Sequence, residues 1–502
     1  MKKVLVANRG EIAVRIIRAL RARGLGSVAV YSDADRREPP VRLADEAVRI
    51  GPPPPGRSYL VADRILEAAR ATGADAIHPG YGFLSENADF AERVEAAGLT
   101  WIGPPASAIR LMGDKVAARR KMAEAGVPII PGSTEPVERD GLLATARATG
   151  FPLMLKAAGG GGGKGIRIVH EESELLSSFD RAAAEAGAAF GNAAVYVERL
   201  LASPRHVEIQ ILADSHGHAF HVGERECSLQ RRHQKILEEC PSPSVDRDTC
   251  AEMGDAAVRA AEAIGYRNAG TVEFLVDASG AFHFLEMNTR LQVEHPVTEM
   301  VYDVDLVGEQ LRIANGDAVS IDPHFLQPNG HAIEVRLYAE DPENGFLPSI
   351  GRIDHLDLPG GPGVRLDASL YEGQEVPLHY DPLLGKLIVW GGTRGRAIAR
   401  LRQALRETVI AGDGIRTNVS FLTALVHDQA FVHGDYDTGT VEARLPKLIA
   451  PDPSAARVAA IAGALLRHRR AGRPAAPLRA NGVDTAVSAW VAADRAARLR
   501  ER

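Results

Sequence analysis

The chain has 502 residues, more than one hydrophobic core usually serves, so we expect several domains. Hydrophobic residues make up 45% and charged residues 25% of the sequence, as in an ordinary globular protein, and no apolar run reaches the length of a membrane span. The formal net charge of −6 argues against broad binding to the phosphate backbone of nucleic acid.

The cysteine content and the first residues both bear on the cellular compartment. Cys227, Cys240 and Cys250 lack metal-finger spacing and are too few for a disulfide scaffold, which favours a reducing compartment. The opening MKKVLVANRG has an apolar run of only four residues, too short for a secretory signal. We therefore expect a cytoplasmic protein without membrane attachment.

Residues 1 to 112 are predicted to form a doubly wound α/β domain. KKVLVA is typical of a buried strand, and Ile12, Ile16 and Leu20 recur at helical spacing in the run that follows. SVAVYSDAD, a helix from Ser58 to Thr72 and the AIHPG strand complete a βαβαβ unit. The first turn, NRGE, lacks the G-x-G-x-x-G fingerprint, so an NAD site is rejected.

The run HPGYGFLSEN, from His78 to Asn87, follows the end of a predicted strand. Ligands gather at strand ends in open α/β sheets, and the glycines of this run would let the backbone approach a small molecule. A tight structural loop explains the same pattern equally well. The run is therefore a candidate part of a site.

Residues 113 to 133 are predicted to be a helical linker, and residues 134 to 202 a lid domain in which helix and strand alternate. Between two strands of the lid lie five consecutive glycines, Gly159–Gly163. The Walker spacing fails here because a required glycine is Ala158 and Gly165 replaces Ser or Thr. Dense glycines between lysines favour a mobile, phosphate-covering loop over a flexible linker.

Residues 203 to 446 are predicted to be a larger mixed domain that begins with polar strands. RHVEIQ places three polar side chains on one strand face: His206, Glu208 and Gln210. The run ERECSLQRRHQKILEE brings four basic side chains close together: Arg231, Arg232, His233 and Lys235. A charge run is usually solvated surface, and a shared anion pocket is the alternative.

TVEFLVDASGAFHFLEMN predicts a β-hairpin that turns at Asp277–Gly280. A loop of two or four residues would pair Thr271 with Glu286. Glu273 would then be a diagonal neighbour of Glu286, roughly 7–8 Å away, a span that one or two divalent cations could bridge. Two solvated glutamates are the weaker alternative.

The stretch EMNTRLQVEHPVTEM extends this polar pattern as far as Met300. Read as extended backbone, it places five polar side chains on one face: Glu286, Asn288, Arg290, Gln292 and Glu294. Met287, Leu291 and Val293 would then point into a core. Such a row can hold cations and anions together, although an edge strand with a solvated polar face fits the pattern alone equally well.

Residues 447 to 502 are predicted to be a helical extension rich in Ala and Arg. Positions 451 to 502 hold ten arginines, no lysine and four acidic residues, a local charge of +6. Apolar side chains form one stripe on each of two predicted helices: Val458, Ile461 and Leu465 on the first, and Val487, Trp490 and Val491 on the second. A solvated tail is possible, but the stripes favour packing onto a partner or onto the body.

Together these motifs closely resemble the biotin carboxylases of the ATP-grasp superfamily over about the first 445 residues. The family's runs all occur, in its order and spacing: NRGEIA, HPGYGFLSEN, RLMGDK, KAAGGGGGKG, RHVEIQ, QRRHQK, EMNTRLQVEHPVTE and VRLYAEDP. The resemblance implies an α/β ATP-grasp fold with a doubly wound N-terminal domain, a mobile Gly-rich lid and a mixed α+β C-terminal part. It also implies ATP-dependent carboxylation of biotin N1 by bicarbonate.

The resemblance also implies residue roles. The residues implied to bind ATP are Lys115, Lys156, Gly161, Gly162, Gly163, Glu198, Leu201, His206 and His233. The implied ligands of two Mg²⁺ or Mn²⁺ ions are Glu273, Glu286 and Asn288. The implied bicarbonate cradle comprises Arg290, Gln292, the backbone of Val293, and Lys235.

Three further residues are implied to act on the substrates. Glu294 would deprotonate bicarbonate, so that the dianion attacks the γ-phosphate of ATP and gives carboxyphosphate. Carboxyphosphate would break down to CO₂ and phosphate, and the phosphate would take the N1 proton of biotin. Arg336 would stabilise the enolate-like ureido oxygen while N1 attacks, with Tyr81 near that pocket.

Biotin is expected on a separate carrier protein, because the sequence contains no Met-Lys-Met turn of the kind that carrier domains present. A carboxyltransferase partner and a homodimer are also implied. The final acceptor, acetyl-CoA, another acyl-CoA or a keto acid, stays open. Another ATP-grasp ligase would not need RLQVEHPV or Arg336, and a silent assembly subunit would be expected to lack Lys235, Glu294 or Arg336.

Overall fold

The computed structural model describes residues 1–157, 166–450 and 453–471. The chain divides into two compact units, Met1–Ile449 and Ala450–Arg502. Within the described ranges, no helix combines the length and the apolar character that crossing a membrane requires.

The N-terminal region contains a five-stranded parallel sheet in the order β3-β2-β1-β4-β5. Its elements, in chain order, are β1 (Lys3–Val6), α1 (Gly10–Ala22), β2 (Gly26–Ser32), α2 (Pro39–Leu43), β3 (Glu46–Gly51), α3 (Ala62–Thr72), β4 (Ala76–His78), α4 (Ala88–Ala96), β5 (Thr100–Trp101) and α5 (Ala106–Gly113). Apolar side chains of α1, including Ile12, Ile16 and Leu20, are buried, as the helical spacing predicts. The predicted doubly wound α/β architecture is confirmed.

Two details of this region differ from the prediction. Helix α3 begins at Ala62 instead of Ser58, because Tyr59 is fully buried and stacks on Phe83 with ring centroids 5.0 Å apart. Strand β3 was not predicted, since its first four residues are exposed or half-buried and carry little apolar pattern. It pairs with β2 at the edge of the sheet.

A linker helix leads into a small region with helix and strand in alternation, as predicted. The elements are α6 (Lys115–Glu124), α7 (Leu142–Thr149), β6 (Leu153–Ala157), β7 (Ile166–Val169), α8 (Leu175–Phe190) and β8 (Val195–Arg199). The strands form an antiparallel sheet in the order β7-β6-β8, whose inner face packs on α7 and α8. Gly161, Gly162 and Gly163 lie outside the described residues, so their role as a phosphate cover stays a prediction.

The largest part of the first unit is built on an eight-stranded antiparallel sheet in the order β13-β12-β9-β10-β11-β14-β21-β19. Its strands and helices, in chain order, are β9 (Arg205–Ala213), β10 (Ala219–Arg231), β11 (Gln234–Cys240), α9 (Arg247–Ala263), β12 (Asn268–Val276), β13 (Phe282–Asn288), α10 (His295–Tyr302), α11 (Leu306–Ala314), β14 (His331–Tyr338), β15 (Glu340–Asp341), β16 (Leu347–Pro348), β17 (Gly351–Arg352), β18 (His355–Asp357), β19 (Val364–Ala368), β20 (Glu375–Val376), β21 (Leu383–Gly391), α12 (Arg394–Glu407), β22 (Val409–Ala411), α13 (Val419–Leu425), α14 (Gln429–His433) and α15 (Thr440–Leu448). The mixed character predicted for this part is confirmed.

The register of the β12–β13 hairpin corrects the sequence-based prediction. Thr271 lies opposite Asn288, and Glu273 lies directly opposite Glu286 instead of diagonally to it. A register shift follows Glu273, because Leu285 is an extra residue between Phe284 and Glu286. The bulge brings the two carboxylates of Glu273 and Glu286 to the same position along the hairpin.

The predicted long strand is also wrong beyond its first residues. Strand β13 ends at Asn288, an irregular turn follows, and helix α10 begins at His295 with Pro296 in its first turn. Proline suits a first helical turn because its missing N–H needs no partner there. Leu291 is fully buried, as predicted, but Gln292 and Glu294 are buried too and Val293 is only half-buried. The predicted alternation of buried apolar and outward polar side chains therefore does not continue through the turn.

The second compact unit contains helix α16 (Pro453–Ala471). The side chains of Val458, Ile461 and Leu465 are 56–66% exposed, so the predicted stripe is uncovered among the described residues. The second predicted stripe, at Val487, Trp490 and Val491, lies outside the described residues.

Candidate active site

One lysine joins three carboxylates at the centre of the large sheet. The Nζ of Lys235, near the start of β11, lies 2.6 Å from Glu208, 2.8 Å from Glu273 and 2.6 Å from Glu294. Burial alone would lower the pKa of Lys235, but the three carboxylates hold that pKa well above its ordinary value. Lys235 is therefore a permanent cation within an acidic cluster.

A second cation, Arg225 on β10, supports this cluster from within the sheet. Its side chain is fully buried and donates hydrogen bonds to Glu208 Oε1 at 2.5 Å and Gln210 Oε1 at 2.7 Å. It also donates to the hydroxyls of Thr271 and Thr298, each at 3.0 Å. The predicted polar face of RHVEIQ is thus turned inward. Its carboxylate, Glu208, binds Arg225 and Lys235, and its amide, Gln210, accepts from Arg225.

Glu294, immediately before α10, is held between two cations. Its Oε1 accepts from Lys235 at 2.6 Å, and its Oε2 accepts from Arg336 Nη2 at 2.9 Å. Burial alone would raise its pKa, but Lys235 and Arg336 hold the pKa of Glu294 well below its ordinary value. Glu294 is consequently an ionised carboxylate over a wide pH range, which is the form a general base requires.

Arg336 lies on β14, on the opposite side of Glu294 from Lys235. Its Nε donates to Glu238 Oε1 at 2.6 Å, so the guanidinium binds two carboxylates at once. The side chain is only 8% exposed. Arg336 is thus a buried cation that an anionic or enolate-like oxygen could reach only by competing with Glu294 or Glu238.

The predicted metal ligands meet where the hairpin bulge aligns them. Asn288 donates from Nδ2 to Glu273 Oε1 at 2.8 Å, and Glu286 lies opposite Glu273. Glu286 has 47% of its side chain exposed, and its nearest cation among the described residues is Lys115 at 4.0 Å. Carboxylate and amide oxygens are donors that Mg²⁺ prefers, so this set fits a divalent cation, with Glu286 the carboxylate most open to it.

A basic residue with amide neighbours follows in the turn after β13. Arg290 donates to Gln292 Oε1 at 2.8 Å, to Asn288 Oδ1 at 2.9 Å and to Glu86 Oε2 at 2.9 Å. Gln292 donates in turn to Glu273 at 3.0 Å. The predicted anion cradle is therefore assembled, although its arginine is bound to Glu86 in this structure.

The carbonyl oxygen of Val293 accepts a hydrogen bond from Lys386 Nζ at 2.6 Å. Lys386 lies on β21, has no exposed surface, and approaches Glu11 Oε1 at 3.3 Å. The hydroxyl of Tyr81 donates to the same Glu11 carboxylate. Tyr81 is therefore linked through Glu11 and Lys386 to the turn that carries Val293.

Two adjoining cavities, of about 350 Å³ and 340 Å³, open beside the carboxylates. Both are lined by Lys115, Lys156 and Glu286. The remaining described residues predicted to bind nucleotide line one of the two: Glu198, Leu201, His206 and His233. Glu198 contacts Lys156 and accepts from Arg119 at 2.8 Å, so these two cations balance the negative charge of its carboxylate.

His206 connects the nucleotide cavity to the acidic cluster. Its Nε2 lies 2.9 Å from Glu273 Oε2. Burial opposes protonation, but the carboxylate of Glu273 raises the pKa of His206 overall. The predicted nucleotide and metal residues therefore share one electrostatic network.

The four basic residues of the RRHQK run do not form one pocket, which corrects the anion-pocket alternative. The guanidinium of Arg231 lies over the Phe346 ring at 4.0 Å, and the backbone N–H of Arg232 bonds Glu442. Positive φ angles at Arg232 and His233 form the tight turn between β10 and β11. This turn separates Lys235, which points into the acidic cluster, from the others.

Several residues of the site were not identified from the sequence. They are Glu86, Arg119, Arg225, Glu238 and Lys386. The sequence could have indicated Lys386, because a single lysine within the apolar run LLGKLIVW is expected to be buried and to need a polar partner. No local pattern indicated Glu238 or Arg119, because their ion-pair partners, Arg336 and Glu198, lie more than 75 residues away in sequence.

Comparisons with known proteins agree with this arrangement. The family model described as the biotin carboxylase N-terminal domain matches residues 1–109, and that of the biotin carboxylase C-terminal domain matches residues 334–443. Between them, the ATP binding domain of the carbamoyl-phosphate synthase L chain matches residues 114–321.

Similar proteins cover nearly all of the first compact unit. The biotin carboxylase of Pseudomonas aeruginosa is 53% identical over 447 residues, which is 89% of this chain and 99% of the relative. The propionyl-CoA carboxylase alpha chain of Ruegeria pomeroyi is 46% identical over 490 residues, 93% of this chain and 72% of the relative.

A solved structure is similar as well. The biotin carboxylase domain dimer of Hydrogenobacter thermophilus 2-oxoglutarate carboxylase, in complex with MgADP, ADP and bicarbonate, is 43% identical, with a TM-score of 0.85. The match covers 90% of this chain and 99% of that one.

Proposed function

Because the chain belongs to the biotin carboxylase family of ATP-dependent ligases, we propose that it catalyses the first half-reaction of an acyl-CoA carboxylase. In this reaction ATP and bicarbonate carboxylate N1 of biotin on a separate carrier protein. The observation that carries the proposal is the position of Glu294. It is an ionised, fully buried carboxylate between Lys235 and Arg336. The same Lys235 contacts Glu273, which lines a cavity together with predicted nucleotide residues.

Glu294 is the proposed base for bicarbonate. Bicarbonate bound by Arg290, Gln292 and the Val293 backbone would place its proton toward the Glu294 carboxylate. The negative charge of bicarbonate would compete for Lys235, and each weakened contact raises the pKa of Glu294 toward a value useful for proton transfer. The resulting dianion attacks the γ-phosphate of ATP, and Lys235 offsets the charge that gathers there.

Glu273, Glu286 and Asn288 are the proposed ligands of Mg²⁺, and Mn²⁺ would suit the same oxygen donors. The metal supplies charge neutralisation at the phosphates of ATP. Lys115 and Lys156 would bind the same phosphates from the other side of the cavity. His206 would keep Glu273 ionised and correctly oriented for this purpose.

Arg336 is the proposed residue for the biotin step. Carboxyphosphate gives CO₂ and phosphate, the phosphate removes the N1 proton of biotin, and N1 then attacks CO₂. Negative charge develops on the ureido oxygen during this step. Arg336 would stabilise that oxygen by exchanging one of its two carboxylate partners for it.

An acyl-CoA carboxylase is the favoured parent complex. The similarity to the propionyl-CoA carboxylase alpha chain covers 93% of this chain, so it extends beyond Ile449 into the helical extension. Acetyl-CoA carboxylation, the entry to fatty acid synthesis, is one member of this class. The alternative is a keto-acid carboxylase, to which the biotin carboxylase domain of 2-oxoglutarate carboxylase belongs.

The partners follow from the same reaction. We propose a biotin carrier protein, a carboxyltransferase and a homodimer, the last supported by the dimer of the similar 2-oxoglutarate carboxylase domain. We also propose functional domains at residues 1–112, 134–202 and 203–446, with a linker at 113–133 and an extension at 447–502. Three free cysteines suit a reducing cytoplasm.

Two variants separate the halves of the proposed reaction. Glu294→Gln keeps the shape of the side chain but removes the base, so bicarbonate-dependent ATP cleavage and carboxybiotin formation should both fall by roughly 10²–10⁴-fold. Arg336→Ala spares the bicarbonate cradle, so bicarbonate-dependent ADP release should persist while carboxybiotin formation collapses. ADP and carboxybiotin are measured in parallel with free biotin.

The matched control is Arg352→Ala, because Arg352 is exposed and its ion pair is with the neighbouring Asp354. It should leave both activities unchanged. Equal loss of both activities in Glu294→Gln and Arg336→Ala would contradict the assigned roles, as would bicarbonate-stimulated ATP cleavage by Glu294→Gln.

A further inference from the structure

Two buried carboxylates near Arg336, those of Glu238 and Glu334, have no direct contact with a substrate in the steps above. Glu238 on β11 lies directly opposite Glu334 on β14, and neither residue has any exposed surface. Directly opposite residues of antiparallel strands have Cβ atoms about 4.5–5.5 Å apart and point to the same face. Two negative charges at that separation, away from water, would repel each other strongly.

The nearby cations do not neutralise Glu334. Arg336 donates to Glu238 at 2.6 Å and to Glu294 at 2.9 Å. Lys386, directly opposite Arg336 on β21, donates to the Val293 carbonyl at 2.6 Å. Both oxygens of Glu334, and Oε2 of Glu238, are buried without a hydrogen-bond partner among the described residues.

We propose that Glu334 carries a proton in the folded protein, donates its O–H to the free oxygen of Glu238, and so fixes the carboxylate that orients Arg336. One proton satisfies the free Glu238 oxygen and removes one of two facing negative charges. It leaves Glu238 ionised for its ion pair with Arg336. Glu334 is thus a positioning residue, which acts on biotin only through Glu238 and Arg336.

The electrostatic surroundings agree with this assignment. Burial, opposed by Lys386 and reinforced by Glu238, raises the pKa of Glu334 well above its ordinary value. Burial also raises the pKa of Glu238, but Arg336 opposes that shift by direct contact, so Glu334 is the carboxyl of this pair that keeps its proton to the higher pH. The other charged or titratable groups that face Glu334 are Glu294 before α10 and Tyr81 after β4.

Loss of the proton would change Arg336 in a definite way. A second charge beside Glu238 would draw the guanidinium toward this pair and away from the oxygen of biotin. Glu294 and Lys235 would keep their direct contact, so bicarbonate-dependent ATP cleavage would be spared. This inference rests on the proposed function, because it assigns Arg336 to the biotin step.

Glu334→Gln tests the proton, because the amide is neutral, has the same shape and donates N–H. Wild-type protein would hold one proton more when folded than when unfolded, from about pH 5 upward. As the pH rises toward the folded-state pKa of Glu334, the folding equilibrium constant of the wild type should therefore fall tenfold per pH unit relative to that of the variant. The measured result is an apparent melting temperature that falls relative to Glu334→Gln between pH 5.5 and 8. Parallel curves would overturn the proposal.

Asp428→Asn is the matched control for the pH dependence. Asp428, immediately before α14, is only 4% exposed and accepts from the backbone N–H of Ala430 at 3.0 Å and from Lys447 Nζ at 3.2 Å. Burial opposes ionisation, but these donors hold the pKa of Asp428 below its ordinary value. Asp428 is therefore ionised between pH 5.5 and 8 in the folded and in the unfolded protein, so this variant should keep the wild-type pH slope.

The pH profile of catalysis tests the positioning role. In wild-type protein the ratio of carboxybiotin formed to ADP released should fall on the alkaline side, whereas Glu334→Gln should hold that ratio to higher pH. Identical profiles, or equal loss of both activities in Glu334→Gln at all pH values, would overturn the role. Because these readouts compare pH dependence, they can fail while the Glu294 and Arg336 assignments stand.

A second variant covers the case in which Glu334→Gln does not fold. Glu238→Gln removes the facing negative charge and offers an N–H to Glu334, so Glu334 should ionise more easily. The pH dependence of the melting temperature should then be weaker than in wild type. An unchanged slope would overturn the shared proton.

Discussion

Lys235 is the residue on which the charge state of the acidic cluster depends. Its three carboxylate partners lie within 2.8 Å and come from β9, from β12 and from the residue before α10. Burial opposes ionisation of Glu273 and Glu294, yet Lys235 keeps the pKa of each below its ordinary value. Such carboxylates stabilise the fold above about pH 4.5, and this contribution is lost as the pH falls through the folded-state pKa.

We expect Lys235→Met to destabilise the protein in a pH-dependent manner. At pH 7 the variant leaves three buried carboxylates without their shared cation, a loss of about 3–5 kcal/mol. At pH 5 the cluster can take up protons as its pKa values rise, so the loss should be smaller. Urea-induced unfolding at both pH values measures the difference.

The control for Lys235→Met is Lys447→Met. Lys447 also pairs with a carboxylate, that of Asp428 at 3.2 Å, but the lysine side chain is 72% exposed. Solvent screens such a pair, so little change is expected at either pH. An equal loss at pH 5 and pH 7 for Lys235→Met would contradict the electrostatic explanation.

At the scale of elements, Arg225 ties four pieces of secondary structure together. It lies on β10 and donates to side chains on β9, β12 and α10. The planar guanidinium can reach these acceptors simultaneously, whereas the single ammonium of a lysine cannot. The relative positions of the strands that carry the acidic cluster therefore depend on one side chain.

We expect Arg225→Met to cost about 3–5 kcal/mol, because it removes the fully buried partner of Glu208. Arg225→Lys should recover only part of this loss. The midpoint of urea-induced unfolding is the measurement, with Arg352→Met as an exposed control. A full recovery by lysine would show that charge alone, and not the fork of donors, holds the strands.

At the scale of the whole molecule, the described catalytic candidates all lie in the first compact unit, Met1–Ile449. A chain of residues 1–450 should therefore keep bicarbonate-dependent ATP cleavage with free biotin. The proposed homodimer should also form from this shorter chain, as measured by light scattering. A monomer mass for the 1–450 chain would show that the extension is needed for the dimer. Loss of ATP cleavage by the 1–450 chain would show that the extension is needed for catalysis.

The intact chain should carry no biotin, because biotin is proposed to arrive on a separate protein. Avidin blotting of the purified chain is the measurement, with a biotinylated carrier protein as the positive control. A stoichiometric avidin signal would contradict a carrier in trans.

Local sequence patterns determined much of this protein. The spacing of Ile12, Ile16 and Leu20 predicted α1, and the alternation in residues 134–202 predicted the helices and strands found there. These features depend on contacts between residues close in sequence, which periodicity records. The family resemblance was likewise contained in short motifs and is confirmed by the matching domain models.

The tertiary structure alone decided how the site residues meet. A bulge aligned Glu273 with Glu286, and α10 replaced the predicted strand beyond the turn, because packing overrides a period-two pattern there. Lys386 lies 93 residues from Val293, and Arg336 lies 98 residues from Glu238. Contacts between strands so distant in sequence depend on sheet order and register, which local patterns do not encode, and these contacts set the charge of Glu294 and the orientation of Arg336.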